Sequence, residues 1–158
     1  MTDLARLITA LAEAEVRFIV IGGMAGIAHG SARVTFDLDC VYDRAADNIA
    51  RLAQAVAPFH PTLRGAPAGL PFRFDAATIS AGLNFTLDPA AGPIDFLGEV
   101  AGGGRHDDLF PDTEELRIFG QPCRVVSLPR LIALKRAAGR PKDLEAIAEL
   151  EVLEEERR

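Results

Sequence analysis

Phe18-Ile19-Val20-Ile21 is a short, apolar, largely β-branched run that stops at Gly22-Gly23. A run of this length and composition reads as a strand buried on both faces, inside a sheet. Its surroundings fit that reading. Leu4, Leu7, Ile8 and Leu11 fall at helical spacing behind Thr2, a capping residue. Met24 to His29 is small and helix-compatible, closed by Gly30. Asp37 to Tyr42 alternates acid and apolar residues and suits a second strand. Asp47 to Val56 sets Ile49, Leu52 and Val56 on one helical face.

Further along, Pro58 to Pro71 is dense in Pro and Gly and reads as loop. Phe72 to Phe74 and Ile79 to Leu87 are strand-like, as is Pro93-Ile94-Asp95-Phe96-Leu97 with one acid inside it. Ala101 to Asp108 holds Gly102-Gly103-Gly104 and is expected to be mobile. Leu116 to Phe119 and Cys123 to Val126 flank Gly120-Gln121-Pro122, a hairpin pattern. Ser127 or Pro129 opens a helix through Ala138, Gly139 stops it, and Pro141 starts a last helix toward Glu154. The expectation is one α/β (α+β) domain over residues 1–158, with a C-terminal helical segment at about 128–156. Its mixed sheet would be flanked by helices. No internal repeat or linker interrupts it.

Asp37 and Asp39 stand two apart in an expected strand, so their side chains emerge on one face with Cα atoms roughly 6 to 7 Å apart. Two carboxylates so placed repel unless a cation sits between them or solvent reaches both. Hard divalent ions such as Mg²⁺ use one or two protein carboxylates together with substrate phosphates. Asp95, flanked by Ile94 and Phe96, is the best third carboxylate, since an acid in an apolar strand is costly unless paired, exposed or metal-bound. Upstream, Gly22-Gly23 follows a buried strand and precedes a helix-compatible segment, where backbone N–H groups can face a phosphate. A tight strand-to-helix turn would use the same two residues.

Ile21-Gly22-Gly23, thirteen intervening residues and then Asp37-Leu38-Asp39 closely resemble the signature of the nucleotidyltransferase fold superfamily. The longer run Gly22-Gly23-Met24-Ala25, His29-Gly30 and Arg33-Val34-Thr35-Phe36-Asp37-Leu38-Asp39 is similar to its small bacterial members, including AbiEii-type toxins of toxin–antitoxin pairs. Leu134-Lys135-Arg136 to Arg140-Pro141-Lys142-Asp143-Leu144 resembles the family's Lys/Arg and Lys-Asp segment. The resemblance implies that Gly22 and Gly23 lie against nucleotide phosphates and that Asp37, Asp39 and Asp95 hold Mg²⁺ or Mn²⁺. Asp95 would also help deprotonate the attacking hydroxyl. Thr35, Lys135 and Arg140 join the nucleotide-binding set. The implied activity is transfer of a nucleoside monophosphate from a nucleoside triphosphate, ATP being the expected one, to an acceptor hydroxyl.

Arg33 suits either a phosphate or an ion pair with the acids. Lys135 and Arg140 could equally form a solvated basic face at a helix end, and Asp143 suits the next helix's dipole without any further role. The acidic tail from Glu145 onward reads as a solvated helix face. His29 reads as a helix-end residue. His60 and His106 lack partners at metal-ligand spacing, so zinc is not expected. Cys40 and Cys123 read as reduced structural thiols.

The chain has 158 residues and a net charge of -6, which disfavours broad adhesion to nucleic acid or anionic membrane and leaves a nucleic-acid acceptor unsupported by charge. No stretch approaches the roughly 18 to 20 apolar residues of a membrane span. Nothing at the N-terminus resembles a leader, and a cytoplasmic protein is expected. A second reading keeps the fold as an interaction module acting with an antitoxin-like or helical partner protein, or as a homodimer. A third replaces the acceptor hydroxyl with water, giving a phosphohydrolase.

Overall fold

In a computed structural model the structure describes residues 3–35, 37–67, 69–88, 90 and 92–157. Thr2, expected as a cap, and Phe36, within the acidic motif, lie outside the described residues. The order is α1 (Asp3–Glu13), β1 (Phe18–Ile21), α2 (Gly22–Ala28), β2 (Leu38–Tyr42), α3 (Ala46–Val56), α4 (Ala76–Ala81), β3 (Asn84–Leu87), β4 (Ile94–Leu97), α5 (His106–Leu109), β5 (Thr113–Ile118), β6 (Gln121–Val126), α6 (Leu128–Ala138) and α7 (Pro141–Glu156). Short 3₁₀ turns occupy Ala57–Phe59 and Phe110–Asp112.

The six strands form one mixed sheet in the order β3-β4-β2-β1-β6-β5. β1 is antiparallel to β2 and parallel to β6, β2 is parallel to β4, and the outer pairs β3–β4 and β5–β6 are antiparallel. All four residues of β1 are buried, which is why the run carries no alternation. α1 packs on α3 and β6, while α2 packs on α6 and α6 on α7. Leu7, Ile8, Leu11, Ile19, Val20, Leu52, Phe96, Val125 and Leu131 belong to one apolar core.

Local chemistry sets the C-terminal helices as expected. Ser127 caps α6, its side chain accepting from the Arg130 N–H. Gly139 ends it at φ +66°, a conformation glycine adopts without strain. Pro141 then opens α7.

Three expectations are corrected. Ile79 to Leu87 is not one strand: residues 76–81 form α4, and only Asn84–Leu87 pairs as β3. Asp75 starts that helix by accepting from the Thr78 N–H at 2.9 Å, so local capping outweighs the β-branched look of Thr78-Ile79. Phe72 to Phe74 joins no strand; the buried Phe74 instead packs its ring on Phe85 and Phe96, with centroids 5.4 and 5.6 Å away. The glycine run is a turn packed on α6 rather than a loose loop. A Cβ on Gly102 would lie 2.7 Å from Ala137 Cβ, and one on Gly103 2.8 Å from Leu134 Cδ2.

No helix among the described residues is long and apolar enough to cross a membrane. Cys40 and Cys123 are free, buried thiols, and burial pushes both up, Cys123 to about 11.

Candidate functional site

The strand register places two acids side by side. Asp39 of β2 sits opposite Asp95 of β4, flanked in the same row by Ile21 of β1 and Thr86 of β3. Neighbours in a row point to the same face, so the two carboxyls meet over one side of the sheet. Burial, the charge of Asp95, the charge of Asp37 and a hydrogen-bonding contact with Asp95 push the Asp39 carboxyl up to about 7, against a smaller pull from Lys142. Asp39 Oδ1 and Asp95 Oδ1 are both buried without a hydrogen-bond partner. Buried acceptors are normally satisfied; Asp95 Oδ1 has Arg64 Nη2 3.2 Å away but out of hydrogen-bond alignment, so the two carboxyls still suit a further cation.

β1 ends beside this pair and turns directly into α2. Gly22 takes φ +68°, and a Cβ there would lie 2.5 Å from Asp39 Oδ2. The position therefore demands glycine twice over: for its backbone and for the space the carboxylate needs. A Cβ on Gly23 would lie 3.1 Å from Thr35 Oγ1. Thr35 Oγ1 in turn donates to Asp37 Oδ1 at 2.8 Å. Asp37 thus precedes β2 on a loop tethered by Thr35. It acts on Asp39 through its charge, whereas Asp39 and Asp95 are held by the sheet itself.

The C-terminal helices add the positive side. Lys135 is largely buried; desolvation pushes its ammonium down, while Asp143 and Asp39 oppose that. The charges of Asp39 and Asp95 also help raise the Arg140 guanidinium, after its hydrogen bond to Asp143. Asp143 is the organiser of this group, and sequence reasoning gave it no role beyond the helix dipole. Its side chain is only 4% exposed, accepts from Arg140 Nε at 2.7 Å and from the Arg140 N–H at 3.2 Å, and lies 4.0 Å from Lys135 Nζ. Burial pushes the Asp143 carboxyl up, but the hydrogen bonds and charge of Arg140, with Lys135, bring it below its ordinary value. An acid three residues behind Arg140 is a legible helix-start signal; its burial against two cations is not.

Arg33 turns the other way. Its Nε pairs with Glu149 Oε2 at 2.9 Å, and Glu149 Oε1 accepts from Ser31 Oγ at 2.8 Å and the Ala32 N–H at 3.1 Å. The loop entering the acidic motif is thereby stapled to α7, so Glu149 is not simply part of a solvated face. His29 is buried, with Nε2 2.7 Å from the Val126 carbonyl and Nδ1 3.0 Å from Arg157 Nη1. Those partners require an Nε2–H and an accepting Nδ1, which makes His29 a structural tie between α2 and the end of α7.

Arg64 was not legible in its Pro/Gly-rich loop, yet its Nη2 lies 3.2 Å from Asp95 Oδ1. A separate grouping stands at the other end of β2. Asp43, His106 and Asp107 place one ligand atom each within 4.8 Å of one another, close enough to share a cation, and sequence spacing gave no sign of it. Asp43 there also pairs with Arg17 Nε at 2.7 Å. A concavity of about 620 Å³ lined by Leu83, Asn84, Glu99, Gly103 and Asp108 does not include the acidic pair.

The donor set of Asp39 and Asp95, oxygen only and with Asp37 nearby, fits a hard divalent ion such as Mg²⁺ or Mn²⁺. Lys135 and Arg140 lie near enough for the Asp39 charge to act on both, and cations of this kind suit a phosphate chain.

No protein-family model matches the sequence, and no curated protein matches it. Solved structures do. The chain is similar to ANT(2″)-Ia in complex with adenylyl-2″-tobramycin at 17% identity and a TM-score of 0.57, covering 95% of this chain and 91% of that one. A solution structure of the same antibiotic-resistance factor matches at 17% identity and a TM-score of 0.56, over 96% of this chain and 86% of that one. A Thermotoga maritima protein described as a nucleotidyltransferase matches at 14% identity and a TM-score of 0.57, over 92% and 88%. At these identities the likeness establishes the fold: a nucleotidyltransferase-like mixed sheet flanked by helices.

Proposed function

We propose that the protein transfers a nucleoside monophosphate from a nucleoside triphosphate, ATP being the first candidate, to an acceptor hydroxyl in a divalent-metal-dependent reaction. The observation that carries this reading is the in-register pair Asp39–Asp95, with two buried oxygens that lack a hydrogen-bond partner, beside the Gly22 turn. The nucleotidyltransferase-like fold supports it. Asp37, Asp39 and Asp95 would hold Mg²⁺ or Mn²⁺, which neutralises charge growing on the phosphate oxygens.

The remaining work falls to the chain's own groups. Gly22 and Gly23 let backbone approach the phosphates, and Lys135 and Arg140, both held by Asp143, balance their charge. Asp95 accepts the proton of the attacking hydroxyl. That oxygen bonds to the α-phosphorus as the bond to pyrophosphate breaks, and pyrophosphate leaves. Much of the rate enhancement would come from holding hydroxyl and phosphorus in line.

ANT(2″)-Ia was solved with an adenylylated tobramycin. We take hydroxyl-bearing small molecules as the first acceptors to test on this chain. Incubation with ATP labelled at the α-phosphate and a cell extract should label an acceptor and release pyrophosphate. Orthophosphate release without any labelled acceptor would instead favour a phosphohydrolase, and no turnover of any triphosphate would sink the proposal.

A further inference from the structure

The loop between α3 and α4 fixes a guanidinium against Asp95. Leu63 bridges to Leu87 of β3, the Arg64 N–H donates to the Thr86 carbonyl at 3.1 Å, and the Asp88 N–H donates to the Thr62 carbonyl at 2.8 Å. Thr62 Oγ1 adds a bond to the Asp88 carbonyl at 3.2 Å. The loop therefore runs along β3 as a short extra rung. From it, Arg64 Nε donates to Asp88 Oδ1 at 3.1 Å, and Nη2 donates to the Leu87 carbonyl at 3.0 Å and the Ile94 carbonyl at 3.5 Å. The same Nη2 lies 3.2 Å from Asp95 Oδ1, an ion pair without hydrogen-bond alignment. Asp88 and two strand carbonyls anchor Arg64 without help from Asp95. The guanidinium thus stays put whichever way that carboxylate turns.

We propose that Arg64 is the built-in counter-cation of Asp95, a positioning residue with which a divalent ion must compete for that carboxylate. The inference rests on the reading of Asp39 and Asp95 as metal-holding residues. A fixed positive charge this close to the pair opposes a bare dication, and partial burial keeps solvent from screening it fully. A metal–triphosphate complex brings its own negative charge and is opposed far less. Arg64 thereby biases the site toward metal that arrives with nucleotide.

Electron paramagnetic resonance of free Mn²⁺, titrated with the full chain and no nucleotide, tests this directly. Arg64→Gln should bind Mn²⁺ roughly fivefold tighter than wild type or better, while nucleotide turnover falls. Arg64→Lys should stay near wild type, because the charge remains. Arg64→Met keeps the apolar stem and should match Arg64→Gln, which covers the case in which the polar variant unfolds the loop. In an Asp95→Asn background, Arg64→Gln should bring no gain. A merely structural arginine would not tighten metal binding when lost. Equal or weaker Mn²⁺ affinity in folded Arg64→Gln and Arg64→Met overturns the proposal and leaves the metal reading intact if Asp95→Asn still loses Mn²⁺. If the wild type binds no Mn²⁺ even with a triphosphate present, or if Asp39→Ala leaves that binding unchanged, the metal reading falls and this inference with it.

Discussion

Asp39→Asn should make this protein more stable in mild alkali, although it removes a charged group from the candidate site. The Asp39 carboxyl is pushed up to about 7, first by burial and then by the charges of Asp95 and Asp37. In an unfolded chain an aspartate titrates near 3.9. Between about pH 4 and pH 7 the folded protein therefore holds a proton that the unfolded chain has released, and stability falls as pH rises through that window. Three pH units at about 1.4 kcal/mol each set a ceiling of about 4 kcal/mol on the loss, reached above pH 7. Asparagine cannot ionise and escapes it. Urea unfolding of wild type and Asp39→Asn at pH 4.5, 6 and 8 should show a gap that is small in acid and widens toward 2 to 4 kcal/mol, on the order of that ceiling, at pH 8. Asp95→Asn relieves the same repulsion, so the double variant should gain less than the two single gains added. A variant no more stable than wild type at pH 8, or a gap independent of pH, would refute the claim that burial and the charges of Asp95 and Asp37 hold the Asp39 carboxyl up.

Other expectations follow from the same geometry. Gly22→Ala must adopt φ +68° and displace the Asp39 carboxylate; it should cost about 1 to 2 kcal/mol, read as a lower Tm, together with lost MgATP binding. Asp143→Ala strips hydrogen bonds from Arg140 and the ion-pair partner of a largely buried Lys135; a loss on the order of 2 kcal/mol in urea unfolding is expected, and triphosphate affinity should fall with it. Ser127→Ala removes the α6 cap and should cost about 1 kcal/mol by the same assay, without changing nucleotide affinity, because Ser127 touches none of the site residues.

What could be read in advance was whatever the chain encodes locally. β1, the glycine turn, β4 with its single acid, the β5–β6 hairpin and the two C-terminal helices all follow from residues within a few positions of one another. α4 is hard to read because the run from Ile79 looks like a strand until Asp75 is recognised as a helix cap. The convergence of Asp95 on Asp39 was inferred from one acid in an apolar strand, and the register places them side by side. Asp37 is different: Thr35 holds it ahead of β2, so it acts by charge from the loop. The rest is tertiary. Arg64 reaches Asp95 only because its loop folds back along β3, and Glu149 captures Arg33 across more than a hundred residues. The burial of Asp143 between Lys135 and Arg140 depends on how α6 packs on α7. No periodicity reports contacts of that kind.

The central claim is that Asp39 and Asp95 hold a divalent ion that carries a triphosphate against Gly22-Gly23. Isothermal calorimetry with MgATP tests it most directly, using wild type, Asp39→Ala, Asp95→Ala and, as a control for the nucleotide alone, ATP with chelator. The account predicts binding by wild type that disappears in both variants and with chelator. Binding unchanged in folded Asp39→Ala and Asp95→Ala would contradict it.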